Sequence, residues 1–148
     1  MTGLMVTVDG ERMIDADAVT HSDPDGLAPV PIGMSNKRVG GDAMGYSSGP
    51  PPTGQMGIIG KIGLNNIGLL VKTWGRVTLV DGSPTPAFVK ITDGFGEIVV
   101  DLAPGATIPS VGDKVSVIGI SSCYAVGDDL YSKIKLRSSI DLIIQSAL

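Results

Sequence analysis

What this chain has little of narrows its chemistry first. Its 148 residues include one cysteine, Cys123, and one histidine, His21. A single cysteine excludes an intrachain disulfide and a cysteine-type zinc site. A single histidine, in the turn-rich stretch His21-Ser22-Asp23, leaves no Ser/His/Asp set of usable spacing. No P-loop is present, because the glycines of residues 57–68 are not followed by Lys-Ser or Lys-Thr. The adjacent carboxylates Asp128 and Asp129 sit in a turn and read as solvent-facing rather than as a calcium site. The expectation is a chain that is not an enzyme, with no catalytic residue, no metal and no cofactor. Cys123, following Ser121 and Ser122, reads as a small buried apolar residue rather than a nucleophile.

Charge and aromatics are also sparse, at 18% and 4% of the residues. The formal net charge is -4, whereas polyanion binders carry a basic surplus that meets phosphates. Most of the acidic excess lies in residues 1–66, where Asp9, Glu11, Asp15, Asp17, Asp23, Asp25 and Asp42 outnumber Arg12, Lys37, Arg38 and Lys61. The remainder is nearly balanced, which leaves room for a local basic patch but not for a strong electrostatic funnel. No apolar run approaches membrane-spanning length, so no membrane partner is expected. Met1 is followed by neither basic residues nor an apolar core, so no signal peptide is read; a mature secreted chain would look the same.

What is abundant is backbone punctuation: 21 glycines and 10 prolines beside a hydrophobic fraction of 43%. That mixture fits one core built from short strands and turns. The beginning of the chain also reads like a short copy of its end. Residues 3–19, GLMVTVDGERMIDADAV, run strand, Asp-Gly turn, strand; residues 119–144 run the same way through Gly127-Asp128. The later copy has partner strands before it and the earlier one has none, although a two-stranded hairpin is marginal in water by itself. The first hairpin is therefore expected to pack on its own domain, on another molecule or on a further domain.

Three regions follow. Residues 1–19 form the hairpin, with donor strands available for a neighbour. Residues 20–66 form an extended Gly/Pro-rich arm, too apolar for a floating linker because it carries Ile32, Met34, Val39, Met44, Tyr46, Met56, Ile58, Ile59, Ile62 and Leu64. Residues 67–148 carry strands predicted over 67–80, 86–92, 97–102, 113–121 and 130–137, with 140–144 as a terminal strand or short turn. Gly75, inside the first of these, predicts a bulge or a sharp bend.

One long bent strand, a hairpin, a connector and a second hairpin is the strand order of an OB-fold. VKTWGRVTLVD, AFVKITDGFGEIVVDL and IPSVGDKVSVIGI resemble OB-fold modules of nucleic-acid-binding proteins, with residues 111–119 matching the Gly-Asp entry to their fourth strand. PIGMSNKRVGG and GLNNIGLLVKTWGRVT resemble a module of large, multi-domain secreted bacterial proteins, in which residues 3–19 would be the tail of a preceding OB-like module. The fold expected is thus all-β: a five-stranded OB-like Greek-key barrel preceded by a β-hairpin and a long irregular arm. The second resemblance implies an extracellular or cell-surface location.

Two functions from different classes remain. In the first, the chain is a structural module that self-associates by strand complementation into a homo-oligomer or an extracellular filament. Val6, Val8, Met13, Ile14, Ile32, Met34, Tyr46, Ile58 and Ile59 would make the assembly contacts, with Trp74 covered by an arm. In the alternative, the barrel binds single-stranded nucleic acid. Alternation places Lys72, Trp74 and Arg76 on one outward face, with Phe88 and Lys90 on the next strand; rings would stack bases while cations meet phosphates. Outward lysines on strands are more often simply solvated, and the first reading is favoured.

Overall fold

The computed structural model describes residues 2–20, 26, 29–83 and 87–145. Among the described residues eleven strands are formed: β1 (Thr2–Val8), β2 (Glu11–Ala18), β3 (Ile32–Gly33), β4 (Met44–Ser47), β5 (Thr53–Gln55), β6 (Leu70–Asp81), β7 (Phe88–Thr92), β8 (Glu97–Asp101), β9 (Lys114–Val126), β10 (Asp129–Lys135) and β11 (Leu142–Gln145). Two 3₁₀ turns, Asn36–Arg38 and Ser139–Asp141, complete the regular structure. The described residues are all-β.

Period-two burial explains the large strands. Along β6, Val71, Thr73, Gly75 and Val77 are buried while Lys72, Trp74, Arg76 and Thr78 are exposed. The same alternation turns Val89 and Ile91 of β7, Ile98 and Val100 of β8, and Val115 and Val117 of β9 into one core. Val39 from the arm, Leu102, Ile134 and Leu142 fill the rest of it. A second, smaller cluster joins Ile58, Cys123 and Leu130, with Met56 and Ile67 against it.

The five-stranded OB-like barrel is corrected by the sheet topology. The main sheet is mixed and has seven strands, in the order β11-β9-β10-β8-β7-β6-β3 with a further β9–β6 pairing. Ladder bonds pass in a ring through β6, β7, β8, β10 and β9, but the sheet is not closed into a barrel. Two strands lie outside the ring: β3, contributed by the arm, and β11, which pairs with the first half of β9. The β10–β8 junction is parallel and only three residue pairs wide, Lys133–Lys135 against Val99–Asp101. The resemblance to OB-fold modules therefore does not carry over to the architecture. Strand order along the chain could not reveal this, since a two-residue strand in the arm has no pattern of its own. Gly75 also has a different role from the bulge expected there. The register shift of the β6–β7 ladder falls between Val77 and Leu79, while a Cβ on Gly75 would lie 2.9 Å from the Thr92 carbonyl oxygen. Gly75 permits close backbone approach.

The arm packs on its own domain. Met34 N–H donates to the Lys72 carbonyl at 3.0 Å, continuing the short parallel β3–β6 ladder. Asn36 is fully buried: its Nδ2 donates to the carbonyls of Ile91 and Gly96 at 3.4 and 3.3 Å, and its Oδ1 accepts from Thr73 Oγ1 at 2.6 Å. Asn66 makes the second anchor. Its Oδ1 accepts from Gly40 N–H and Ser121 Oγ, both at 2.8 Å, and its Nδ2 donates to the Arg38 carbonyl at 2.7 Å. Two buried amides thus satisfy backbone groups that an irregular segment would otherwise leave without partners.

The first hairpin is tied down at its turn. Asp9 and Gly10 both have positive φ, 50° and 80°, the backbone of a type I′ turn whose twist matches that of the flanking strands. Gly10 lies against Leu130, where a Cβ would fall 2.1 Å from Cδ2, and its carbonyl accepts from Gln55 Nε2 at 2.9 Å. Arg12 N–H donates to Gln55 Oε1 at 2.8 Å, and its guanidinium reaches the Pro52 carbonyl at 3.0 Å. Glu11, buried, accepts from Ser122 Oγ at 2.6 Å and from Lys135 Nζ at 2.9 Å. Beyond this collar, β1 and β2 form a separate two-stranded sheet.

Candidate functional site

Two surfaces stand out, and the hairpin is the first. Leu4 is 73% exposed, Met5 57% and Ile14 49%, and Val8 and Val19 are exposed as well. Leu4 stands opposite Asp15 on one face of the ribbon, and Met5 opposite Ile14 on the other. Among the described residues, each strand keeps one edge without a ladder partner, except where Gln55 meets Arg12. Of the residues expected to make assembly contacts, Val8, Ile14, Ile32, Tyr46 and Ile59 are exposed, and Val6, Met13 and Met34 are partly buried. Ile58 is buried in the second core cluster of its own domain.

The second surface is the outer face of β6. Trp74 is 62% exposed rather than covered by the arm, whose buried residues Val39 and Ile58 sit in the two cores instead. Directly opposed residues of antiparallel strands share a face. Trp74 therefore stands beside Ser116 of β9, and Ser116 beside Ile143 of β11. Arg76 stands opposite Lys114, and Lys114 opposite Gln145. Like charges directly across a ladder are destabilising, yet here they are placed side by side. Among the described residues, neither Lys72, Arg76 nor Lys114 takes part in an ion pair. Phe95, 78% exposed in the Asp93–Gly96 turn, joins Trp74 around a groove of about 400 Å³ also lined by Met34, Lys72, Asp93 and Ser116.

The face expected from alternation is thus only half assembled. Lys72, Trp74 and Arg76 are together on β6, but Phe88 pairs with Asp81. At about 3.3 Å per residue that position is roughly 20 Å along β6 from Trp74. Lys90 is paired with Glu97 at 3.4 Å and lines a different depression. Phe95 and Lys114, missing from the expected set, take their places. A turn residue has no periodicity to announce it, and Lys114 becomes a neighbour of Arg76 only through the β6–β9 register.

That other depression, about 380 Å³, is lined by Lys61, Lys90, Glu97, Ser132 and the stacked pair Tyr124 and Tyr131, whose ring centroids are 5.7 Å apart. Lys61 Nζ donates to the carbonyls of Asn36 at 2.9 Å and Glu97 at 3.2 Å, pinning arm to sheet. Burial pulls its ammonium down to about 8, against the opposing pull of the Asp93 and Glu97 carboxylates. Cys123 is buried, and its thiol is pushed up to about 11, first by burial and then by the Glu11 charge. Among the described residues, no three His, Cys, Asp or Glu side chains converge as a metal site, and no helix is long and apolar enough to cross a membrane. His21 lies outside the described residues.

No protein-family model matches the chain, and comparison with curated proteins finds no match.

Proposed function

We propose that this chain is a non-enzymatic structural module that self-associates through its N-terminal hairpin, as the repeating subunit of a homo-oligomer or filament outside the cell or on its surface. One observation carries the reading: β1 and β2 form a separate ribbon with Leu4, Met5 and Ile14 exposed and, among the described residues, strand edges without partners. A two-stranded ribbon in water is marginal, and open strand edges are templates for pairing with another chain. The arm belongs to this reading as the support of the ribbon, through Gln55 and Pro52. Light scattering of the full chain over a concentration series tests it, beside Leu4→Glu/Ile14→Glu. Concentration-dependent growth in the parent chain and a monomer in the variant are expected. A parent chain that stays monomeric at every concentration refutes the reading. Protease accessibility on intact cells tests the surface location.

The crowding of Arg76 and Lys114 beside an uncovered Trp74 favours a second reading, single-stranded nucleic-acid binding. Stacking on Trp74 and Phe95 with phosphates on Lys72, Arg76 and Lys114 is the chemistry this would use. Fluorescence anisotropy of a labelled oligothymidylate at low salt is its test. Salt-sensitive binding lost in Trp74→Ala is the expected result, and no binding at low salt dismisses it.

A further inference from the structure

We infer that the surface receiving the hairpin is the Trp74 face of a second copy of this chain. The inference rests on the self-association reading and names the acceptor that reading leaves open. Three observations support it.

The first is charge. The ribbon carries Asp15 and Asp17 on β2, and among the described residues neither is held in an ion pair. The face carries Lys72, Arg76 and Lys114, two of them held side by side in the ladder at a repulsive cost. Carboxylates laid over those cations relieve the repulsion, and complementary potentials fix orientation. The chain as a whole is acidic, so this face is an exception on its own molecule and a fit for its own hairpin.

The second is apolar fit. Leu4, on the ribbon face that carries Asp15, has no cover, and neither do Trp74, Phe95 and Ile143 on the acceptor face. The groove of about 400 Å³ between Trp74 and Phe95 can take a branched aliphatic side chain. Each surface thus sets an apolar side chain beside charged groups, with opposite sign.

The third is placement. The hairpin is anchored at Ser122 and Lys135, whereas Lys114 and Ser116 lie toward the other end of β9. Ser116 and Ser122 are roughly 20 Å apart at about 3.3 Å per residue. The ribbon therefore serves one end of the sheet while the basic face serves the other. A contact between two different patches is heterologous, and its repetition gives a ring if the rotation closes and an open filament if it does not.

Charge-reversed pairs test this in the full chain. Lys72→Glu/Arg76→Glu removes the acceptor and keeps the hairpin; Asp15→Lys/Asp17→Lys does the reverse. All four positions are on exposed faces, and circular dichroism confirms that each variant is folded. Each variant alone is expected to associate at least about tenfold more weakly than the parent, since like-charge contacts suppress wrong pairings. Mixed in equal amounts, the two should associate again as alternating copies, because every hairpin then meets a face of opposite charge. Sedimentation velocity reads all three samples. An unchanged oligomer in Lys72→Glu/Arg76→Glu overturns the acceptor assignment while leaving self-association standing. So does a mixture that associates no more strongly than either variant alone although the parent assembles. A parent chain that never assembles overturns both readings together.

Discussion

Replacing Glu11 by alanine should loosen the hairpin from the sheet and leave the sheet intact. The Glu11 carboxylate takes the buried Ser122 hydroxyl at 2.6 Å and the half-exposed Lys135 ammonium at 2.9 Å. A buried hydrogen bond to a charged group contributes about 1.5–3 kcal/mol. The ion pair adds at most about 1 kcal/mol, because Lys135 is easily rehydrated. The contacts of Gln55 with Gly10 and Arg12 survive the substitution, as does Leu130 against Gly10. The loss is thus about 2–4 kcal/mol, borne by a ribbon that has little stability of its own. It should appear as local opening rather than global unfolding. At 1.36 kcal/mol per decade, amides of β1 and β2 would exchange about 30- to 1000-fold faster. Native-state hydrogen exchange followed by NMR is the assay, with β6 and β9 as internal reference. Glu11→Gln keeps an acceptor for Ser122 and should move the same amides less. Unchanged exchange in β1 and β2 would refute the reasoning, and so would equal acceleration in β6 and β9, which would make Glu11 a support of the whole fold.

Three further outcomes are expected. Asn36→Ala removes three side-chain hydrogen bonds from a fully buried site and takes from the buried Thr73 Oγ1 its Asn36 acceptor, so urea unfolding should show a loss of about 2–4 kcal/mol. Cys123, with its thiol at about 11 and no exposure, should fail to react with an aromatic disulfide reagent at pH 8 until denaturant is added. Lys61 titrates near 8 in the folded chain against an ordinary 10.5, so the unfolded chain binds the extra proton between those values. Its contribution to stability therefore rises as pH goes from about 8 to 10.5, and the stability difference between the parent and Lys61→Met should grow over that window.

Legibility in the sequence followed distance along the chain. The Asp9-Gly10 turn was readable, because the type I′ preference is a property of two adjacent residues. So was the outward row Lys72-Trp74-Arg76, since Val71, Thr73 and Val77 alternate with it in one strand. What failed to show were contacts made by register. Gln55 reads as an ordinary polar arm residue until Gly10, 45 residues away, brings its carbonyl beside it. Glu11 reads as a turn-flanking acid until Ser122, 111 residues away, supplies the hydroxyl. Phe88 has the parity of an outward residue, but the β6–β7 register sets it opposite Asp81, at the far end of β6 from Trp74. β3 exists because the edge of β6 offers Val71 and Lys72 as partners, a fact that Ile32 and Gly33 do not carry themselves. The barrel was inferred from strand order, and strand order does not count the edge strands that tertiary packing recruits.

The long reach of the Glu11 contacts also has a kinetic meaning. The hairpin is made well before its dock, since Ser122 and Lys135 follow Glu11 by 111 and 124 residues. At about 5–20 residues per second, the ribbon waits on the order of ten seconds before its own anchor exists. Closing so large a loop is slow to be rewarded, so docking of the turn should be a late step of folding. On a polysome, ribbons from successive nascent chains would share that interval at high local concentration. Synthesis rate and chain spacing would then bear on whether the first partner a hairpin meets is its own sheet or a neighbour's.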